Sequence, residues 1–407
     1  MRPKFYQATI AFTIALLTIL SINQLNNRVD LLSGHSWDFL YYKDMVVNGF
    51  LGNDHLVVPY AYRFLTPLSV SLIMKITHWT MPKAFKTLSL ICAFAQLGGV
   101  YLLSRQLKFR FKTSIILMLV VAFSLFNLKF LLFDPYRPDP IAYPLLLFAI
   151  ILFLRKRYFF CVLISAIGLL VREALLIPIL ISLFYLGKEW VQNKQQPSPL
   201  IKAGVFIFIT VLALILPRAL IPVVGTQQVL DPINDPKFFK VLFGSWIDLK
   251  KWFNLGFNIL AYFLPIIILY SPKRLKESWR RVGENKPALL IYLAGAFFII
   301  MYGGTDMMRY VTYLFIPQIF ILGYLLEQDV SILESGVMLL FILLFNKILF
   351  QFPVSDFNTY LDFHGGYDSR ITAASFTRWG EWISYITLAW FWRFIIGKIR
   401  HPKDYAR

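Results

Sequence analysis

The stretch FDPYRPDPIAYP, residues 133–144, sets Asp134, Arg137 and Asp139 among four prolines and between apolar runs. Similar mixtures of charge and aromatic residues recur along the chain. Asp38 and Asp44 lie in SWDFLYYKDM, Arg63 in PYAYRFLTP, Arg172 and Glu173 in GLLVREALLIP, and Asp306 and Arg309 in GGTDMMRYVTY. These residue types suit one kind of chemistry. A guanidinium fork grips phosphate oxygens, while a carboxylate takes the proton of a hydroxyl or holds sugar hydroxyls. Prolines that stop the neighbouring helices would let loop backbone and Asp134, Arg137 and Asp139 line an aqueous cavity.

The elements that must position these groups are membrane helices. The chain of 407 residues is 58% hydrophobic and 17% aromatic with 15% charged residues, against about a quarter charged in ordinary globular chains. Apolar runs of roughly 16 to 23 residues match the length of a bilayer-crossing helix. The net charge of +19 comes from short clusters beside those runs, such as RQLKFRFK, RKR, KEWVQNK and PKRLKESWRR. That is the positive-inside pattern, with affinity for anionic lipid headgroups, and it calls for membrane lipids and no nucleic acid. With the basic clusters in the cytoplasm, about 12 segments follow, at 4–22, 84–104, 113–133, 141–154, 158–171, 174–187, 200–222, 255–270, 287–302, 311–326, 331–350 and 379–397. Both termini then fall inside. The first run follows Arg2 and Lys4 without a small-residue cleavage site and reads as a retained signal anchor.

Two segments are predicted not to cross simply. FLTPLSVSLIMKITHW, residues 64–79, contains Pro67 and Lys75 and is assigned to the outer face as an amphipathic or half-inserted element. Residues 158–187 carry basic clusters at both ends, so a broken hairpin with Arg172 and Glu173 at its apex preserves sidedness. Halves of about 14 residues span about 21 Å, short of the roughly 30 Å hydrocarbon core, so the apex stops within the membrane. Charged residues at that depth mark a functional site or a buried ion pair that locks helices. The chain is expected to be an all-α, polytopic single membrane domain, 1–407, with external loops at 23–83, 224–254 and 351–378.

In this topology the named mixtures of acid, arginine, tyrosine and proline fall on the outer face, where a phosphate beside a hydroxyl indicates a lipid-linked sugar donor. The spacing offers no good divalent-metal motif, because DPYRPDP interposes an arginine. His35, His55 and His364 do not cluster, and no nucleophile elbow is present. Cys92 and Cys161 sit inside apolar runs and read as small buried hydrophobes.

The order of SWDFLYYKDMVVNGF, PYAYRFLTPL, RPDPIAYPLLLFAI, GLLVREALLIP and GGTDMMRYVTYLFIP resembles bacterial membrane proteins of the C-type glycosyltransferase (GT-C) superfamily, over most of the chain to about residue 326. The resemblance implies a GT-C-like fold and transfer of a sugar, with inversion, from a polyprenyl-phosphate donor to a glycan, lipid or protein acceptor of the cell envelope. It implies no cofactor and favours metal independence. It makes Asp38 the catalytic base, with Asp44 as the alternative. Arg172 and Arg309, then Arg63 and Arg137, would stabilise the departing phosphate. Asp139, Glu173 and Asp306 would orient those arginines or bind sugar hydroxyls, with Asp306 alternatively capping a helix that begins near Met308. The implied location is the bacterial inner membrane, with the site facing the periplasm. A transporter or flippase for a lipid-linked glycan, or a noncatalytic component of polysaccharide assembly, is the competing class.

Overall fold

A computed structural model describes residues 5–26, 39–51, 53, 56–58, 60–192, 197–221, 225–226, 249–302, 310–351 and 376–400. The described chain is helical. In order it forms α1 (Phe5–Leu25), α2 (Phe39–Asn48), α3 (Leu65–Thr77), α4 (Met81–Gln106), α5 (Phe111–Ala122), α6 (Phe130–Phe133), α7 (Asp139–Leu154), α8 (Tyr158–Leu169), α9 (Leu176–Gln192), α10 (Ser198–Leu220), α11 (Leu249–Tyr262), α12 (Leu264–Ile268), α13 (Pro272–Val282), α14 (Lys286–Tyr302), α15 (Phe315–Leu326), α16 (Ile332–Phe345) and α17 (Phe376–Arg400). Among the described residues five stretches are long and apolar enough to cross a membrane, or six if the bent pair built on α5 and α6 counts as one span. These are the helices of an integral membrane protein. On α10, Ile201 and Phe208 are 63% and 66% exposed, and Val211, Ile215 and Leu220 are exposed beside them. A face this apolar on a helix that is apolar all round belongs in hydrocarbon rather than water.

The buried centre is built on α4, which at 26 residues is about 39 Å long. It packs against α1, α5 and α7. Small residues set the separations: a Cβ on Gly98 would stand 2.7 Å from the Phe12 ring, and one on Gly99 would stand 3.1 Å from Leu147. The same device recurs where Gly295 meets Ile177 and Gly323 meets the Phe109 ring. Close approach maximises dispersion contact, which drives helix association where lipid tails remove the hydrophobic incentive.

Three expected helices are interrupted. The segment expected at 113–133 breaks after Ala122, passes through a π-helical turn at Leu125–Lys129 and bends by 72°. No proline or glycine occurs there. Tertiary partners stabilise the break, since Asn346 Nδ2 donates to the Phe123 carbonyl at 2.8 Å and buried Lys129 donates to the carbonyls of Lys347 and Phe350. The segment expected at 255–270 breaks at Phe263, just before Pro265, which lacks an N–H for the helical ladder. The segment expected at 331–350 ends at Phe345, and Lys347 follows in the left-handed region at φ 50°. Its start carries a capping box between Ser331 and Glu334.

The predicted break near residue 172 is present. α8 ends at Leu169, Arg172 is extended, and a 3₁₀ turn at Glu173–Leu175 leads into α9. A Cβ on Gly168 would fall 2.3 Å from Leu175 Cγ, so the chain can reverse this tightly only with glycine there.

Polar side chains gather at two opposite ends of this bundle. At one end Arg110 pairs with Glu327, Arg155 donates to Gln106, and Glu334 lies between Arg274 and Arg393. At the other, α2, α3 and the Tyr60–Tyr62 turn fold over a small core of Phe39, Tyr42, Ala61, Val70, Phe85 and Tyr136. Val57–Val58 and Gly225–Thr226 pair there as a two-residue parallel ladder, joining the loop after α10 to the first long loop. The loops expected at 23–83 and 224–254 are therefore shorter than their expected bounds, with α1 reaching Leu25, α4 starting at Met81 and α11 at Leu249; residues 352–375 of the third lie outside the described residues.

Gly323→Ala is expected to destabilise the protein, because even one methyl meets the Phe109 ring. Gly336→Ala, on an exposed helical position with open space, should leave the melting temperature unchanged or raise it slightly. Fluorescence-detected thermal melts of the two detergent-purified variants compare them directly.

Candidate functional site

The start of α7, the break between α8 and α9, and the turn before α3 converge at the end that holds the small loop core. Arg172 leaves its break in an extended conformation, which sends the side chain away from both helices and onto the first turn of α7. Asp139 opens α7 between Pro138 and Pro140, where missing N–H groups cost nothing because the first turn has no intrahelical acceptors for them. The two side chains make a fork: Arg172 Nε donates to Asp139 Oδ1 and Nη2 to Oδ2, both at 3.0 Å. The arginine side chain is 1% exposed. Tyr313, on a 3₁₀ turn at Thr312–Leu314, donates its hydroxyl to Asp139 Oδ1 at 3.0 Å. Tyr292 holds that turn by donating to the Tyr313 carbonyl at 2.9 Å, and Tyr143 shares a 2.7 Å hydrogen bond with the Thr312 hydroxyl.

This geometry leaves a vacancy in Arg172's own bonding. Nη1 is buried and has no hydrogen-bond partner. The Tyr310 ring stands 5.8 Å from the guanidinium carbon. A buried guanidinium with one nitrogen unsatisfied is held in place by its carboxylate and still has donors for an anion.

Arg63 lies beside it, at the end of the Tyr60–Tyr62 turn. Its Nε and Nη2 both donate to Glu173 Oε1, at 3.1 and 2.8 Å. Arg63 is 10% exposed and Glu173 61% exposed, so the carboxylate reaches open space while the arginine does not. Burial and the nearby Arg172 work against the Arg63 charge, but Glu173, with Tyr42 and Tyr310, more than offsets them and holds its pKa above the ordinary arginine value. Two guanidinium groups thus share one neighbourhood with two carboxylates.

The alternative in which Arg172 and its neighbour Glu173 form a locking ion pair is not the one realised. Consecutive residues across an extended backbone point to opposite sides, so Arg172 takes Asp139 and Glu173 takes Arg63. Asp134 and Arg137 are not lining an aqueous cavity either. They are 0% and 6% exposed and pair with one another, Nε to Oδ2 at 2.8 Å, with the Phe130 ring 4.7 Å from the guanidinium. Their spacing of three brings them together across the turn before α7, and the low dielectric around them favours closing the pair. Asp139 is likewise buried. Asp44 is on α2 and accepts from Asn48 Nδ2 at 2.6 Å on one oxygen and Asn53 Nδ2 at 2.7 Å on the other. Asp38, Asp306 and Arg309 lie outside the described residues. Asp134, Asp139 and Glu173 are each engaged by an arginine, and among the described residues no three His, Cys, Asp or Glu side chains gather as a metal site.

Sequence reasoning missed the tyrosines behind the site and a polar chain beneath them. Gln96 Nε2 donates to Asn127 Oδ1 at 3.3 Å, Asn127 Nδ2 to Tyr262 Oη at 2.8 Å, and Tyr262 Oη to the Thr312 carbonyl at 3.2 Å. The available signal was NLK within an apolar run, since intramembrane polar residues seek partners.

Beside the arginines opens an apolar groove of about 310 Å³ between α8 and α10. Phe50 and Phe64 roof it with rings 4.9 Å apart, and Ile167, Leu170, Leu212 and Leu216 form its walls. Phe64 adjoins Arg63 in the chain, and Leu170 lies two residues before Arg172, its carbonyl bonded to Leu65 N at 3.3 Å. The groove is therefore lined in part by close chain neighbours of the two arginines. Arg218, at the same end of α10, stands over the Tyr62 ring at 4.6 Å.

No protein-family model, curated protein or solved structure matches this chain. The fold and site define a helical integral membrane protein with buried arginine–carboxylate pairs at one end of the bundle.

Asp139→Ala is expected to destabilise the protein by about 3–5 kcal/mol, because it leaves the Arg172 charge buried without its counter-charge. The double variant Asp139→Leu/Arg172→Met should recover most of that loss. Glu173→Gln, at a mostly exposed carboxylate, should cost far less. Thermal melts of the three proteins provide the comparison.

Proposed function

We propose that the protein is a GT-C-like glycosyltransferase that moves a sugar from a polyprenyl-phosphate donor to a cell-envelope glycan, lipid or protein acceptor. The observation that carries this reading is Arg172: forked onto Asp139, buried, with Nη1 unpartnered, and two residues after Leu170, which lines an apolar groove. A phosphate on a long hydrocarbon chain fits both halves. The isoprenoid lies in the groove between α8 and α10, where it stays in contact with lipid, and the phosphate meets Arg172 and Arg63. In this reading the GT-C-like architecture uses about 12 membrane segments, short broken helices among them. Both termini lie in the cytoplasm of a bacterium, and the arginine end faces the periplasm.

The acceptor hydroxyl attacks the anomeric carbon from the face opposite the phosphate, giving inversion. The leaving group is already an anion, so it needs charge stabilisation and no proton donor; Arg172, Arg63 and Arg309 supply it. Asp139 and Tyr313 keep Arg172 oriented. General-base removal of the acceptor proton accelerates the step by about 10²–10⁴-fold. Asp38 has that role in preference to Asp44, because both Asp44 oxygens accept from asparagine side chains and are committed to shaping α2 and its loop. Glu173 and Asp306 bind sugar hydroxyls. No metal or organic cofactor enters these steps.

Membranes carrying wild type, Asp38→Asn, Asp44→Asn and Arg172→Lys are assayed with radiolabelled polyprenyl-phosphate sugars, with protein levels matched. Transfer is expected in wild type and Asp44→Asn. It should fall about 10²-fold or more in Asp38→Asn. Arg172→Lys should raise KM and lower kcat, since a lysine does not reproduce the fork. Movement of intact labelled lipid across the membrane without sugar transfer would overturn the assignment in favour of a flippase.

A further inference from the structure

The C-terminal ends of α5, α11 and α16 meet around a cavity of about 30 Å³ whose lining includes neither Arg63 nor Arg172. Val120 and Ser124 line it from the first, Ala261 and Tyr262 from the second, and Phe345 and Asn346 from the third. Two side chains that also line it have unmet bonding. Asn258 is 1% exposed and neither amide atom has a hydrogen-bond partner. Gln318 is 2% exposed; its Nε2 donates to the Tyr262 carbonyl at 2.8 Å, which fixes the amide orientation and leaves Oε1 without a donor.

Unmet polar groups at this depth are strongly disfavoured unless something polar fills the space between them. Size and charge select the occupant. A water needs roughly 10–15 Å³ and two to four polar partners, so the cavity holds one or two waters and no organic molecule. The converging helix ends present carbonyl oxygens and the negative ends of three dipoles, which would also favour a cation. Two features oppose that. Among the described residues the lining contains no carboxylate, and the Lys129 ammonium already occupies the carbonyls of Lys347 and Phe350, close after Asn346. A second positive charge next to that ammonium, in a low dielectric, loses more by repulsion than the dipoles return.

We propose that this cavity is a hydration site, in which one or two water molecules bond the Asn258 amide on α11 and Gln318 Oε1 on α15 and so bridge those two helices where the ends of α5 and α16 also meet. The inference stands apart from the glycosyltransferase reading and holds for any activity at the arginine end. Because Val311 and Thr312 also border the cavity, the water backs the turn that presents Tyr313 to Asp139.

The test is X-ray hydroxyl-radical footprinting of the full-length protein in lipid nanodiscs, read by mass spectrometry at Phe345, a cavity-lining residue 2% exposed. Radicals born from trapped water are expected to oxidise Phe345 in wild type. In the near-isosteric Asn258→Leu variant, confirmed as folded by size exclusion, that oxidation should fall several-fold and the melting temperature should drop by about 2–4 °C. An unmodified Phe345 in wild type, or a more stable Asn258→Leu, would mean a dry cavity and overturn the proposal. A wild-type melting temperature raised by sodium chloride but not by potassium or choline chloride, with the effect lost in Asn258→Leu, would overturn it in favour of a cation.

Discussion

The fork between Arg172 and Asp139 is the constraint on which the polar end of the molecule depends. Removing two charges from water costs several kcal/mol per ion, and only good geometry with further hydrogen bonds offsets it. Each condition for that geometry is met by a separate element. The break between α8 and α9 extends the backbone at Arg172, the proline-flanked start of α7 presents Asp139, and the 3₁₀ turn before α15 supplies the Tyr313 hydroxyl. Tyr292 and Tyr143 then fix that turn from behind. The one guanidinium nitrogen left over is what turns a locking pair into a candidate site.

The helix interruptions obey the same rule about buried polar groups. A broken helix frees carbonyls that hydrocarbon cannot solvate, so breaks persist only where protein satisfies them. Asn346 does so for Phe123, Gln318 for Tyr262, and Lys129 for the chain after α16. Each capping group comes from a different helix than the one it caps. The breaks are consequently mutual, and the three helix ends meet at one place.

Hydrocarbon on the outside sets the remaining architecture. The exposed apolar faces of α1 and α10 are stable only against lipid, and small residues on α4 allow the inner helices to approach closely. The groove between α8 and α10 belongs to both environments, because its walls are lipid-like and Phe64 and Leu170, which line it, adjoin Arg63 and Arg172 in the chain. In the proposed reading it would hold a hydrocarbon tail whose phosphate meets the arginines.

The sequence by itself determined the helical membrane class, the approximate position of nearly every helix, the break at Arg172 and the residue types at the polar end. Those properties follow from local patterns: apolar runs of bilayer length, basic flanks, and prolines next to charge. Tertiary structure alone decided who pairs with whom. Arg172 and Glu173 are adjacent in sequence, but extended backbone turns them apart, so each finds a partner from a distant element. Asp134 and Arg137 close on each other rather than opening to water, and Asp44 is spent on two asparagines. The bend after Ala122 carries no proline or glycine and was illegible for the same reason: its stabilising bonds come from residues more than two hundred positions away. Periodicity and composition report the solvent that each segment prefers. Satisfaction of buried charge and backbone is a property of the assembled helices, and only their packing can assign it.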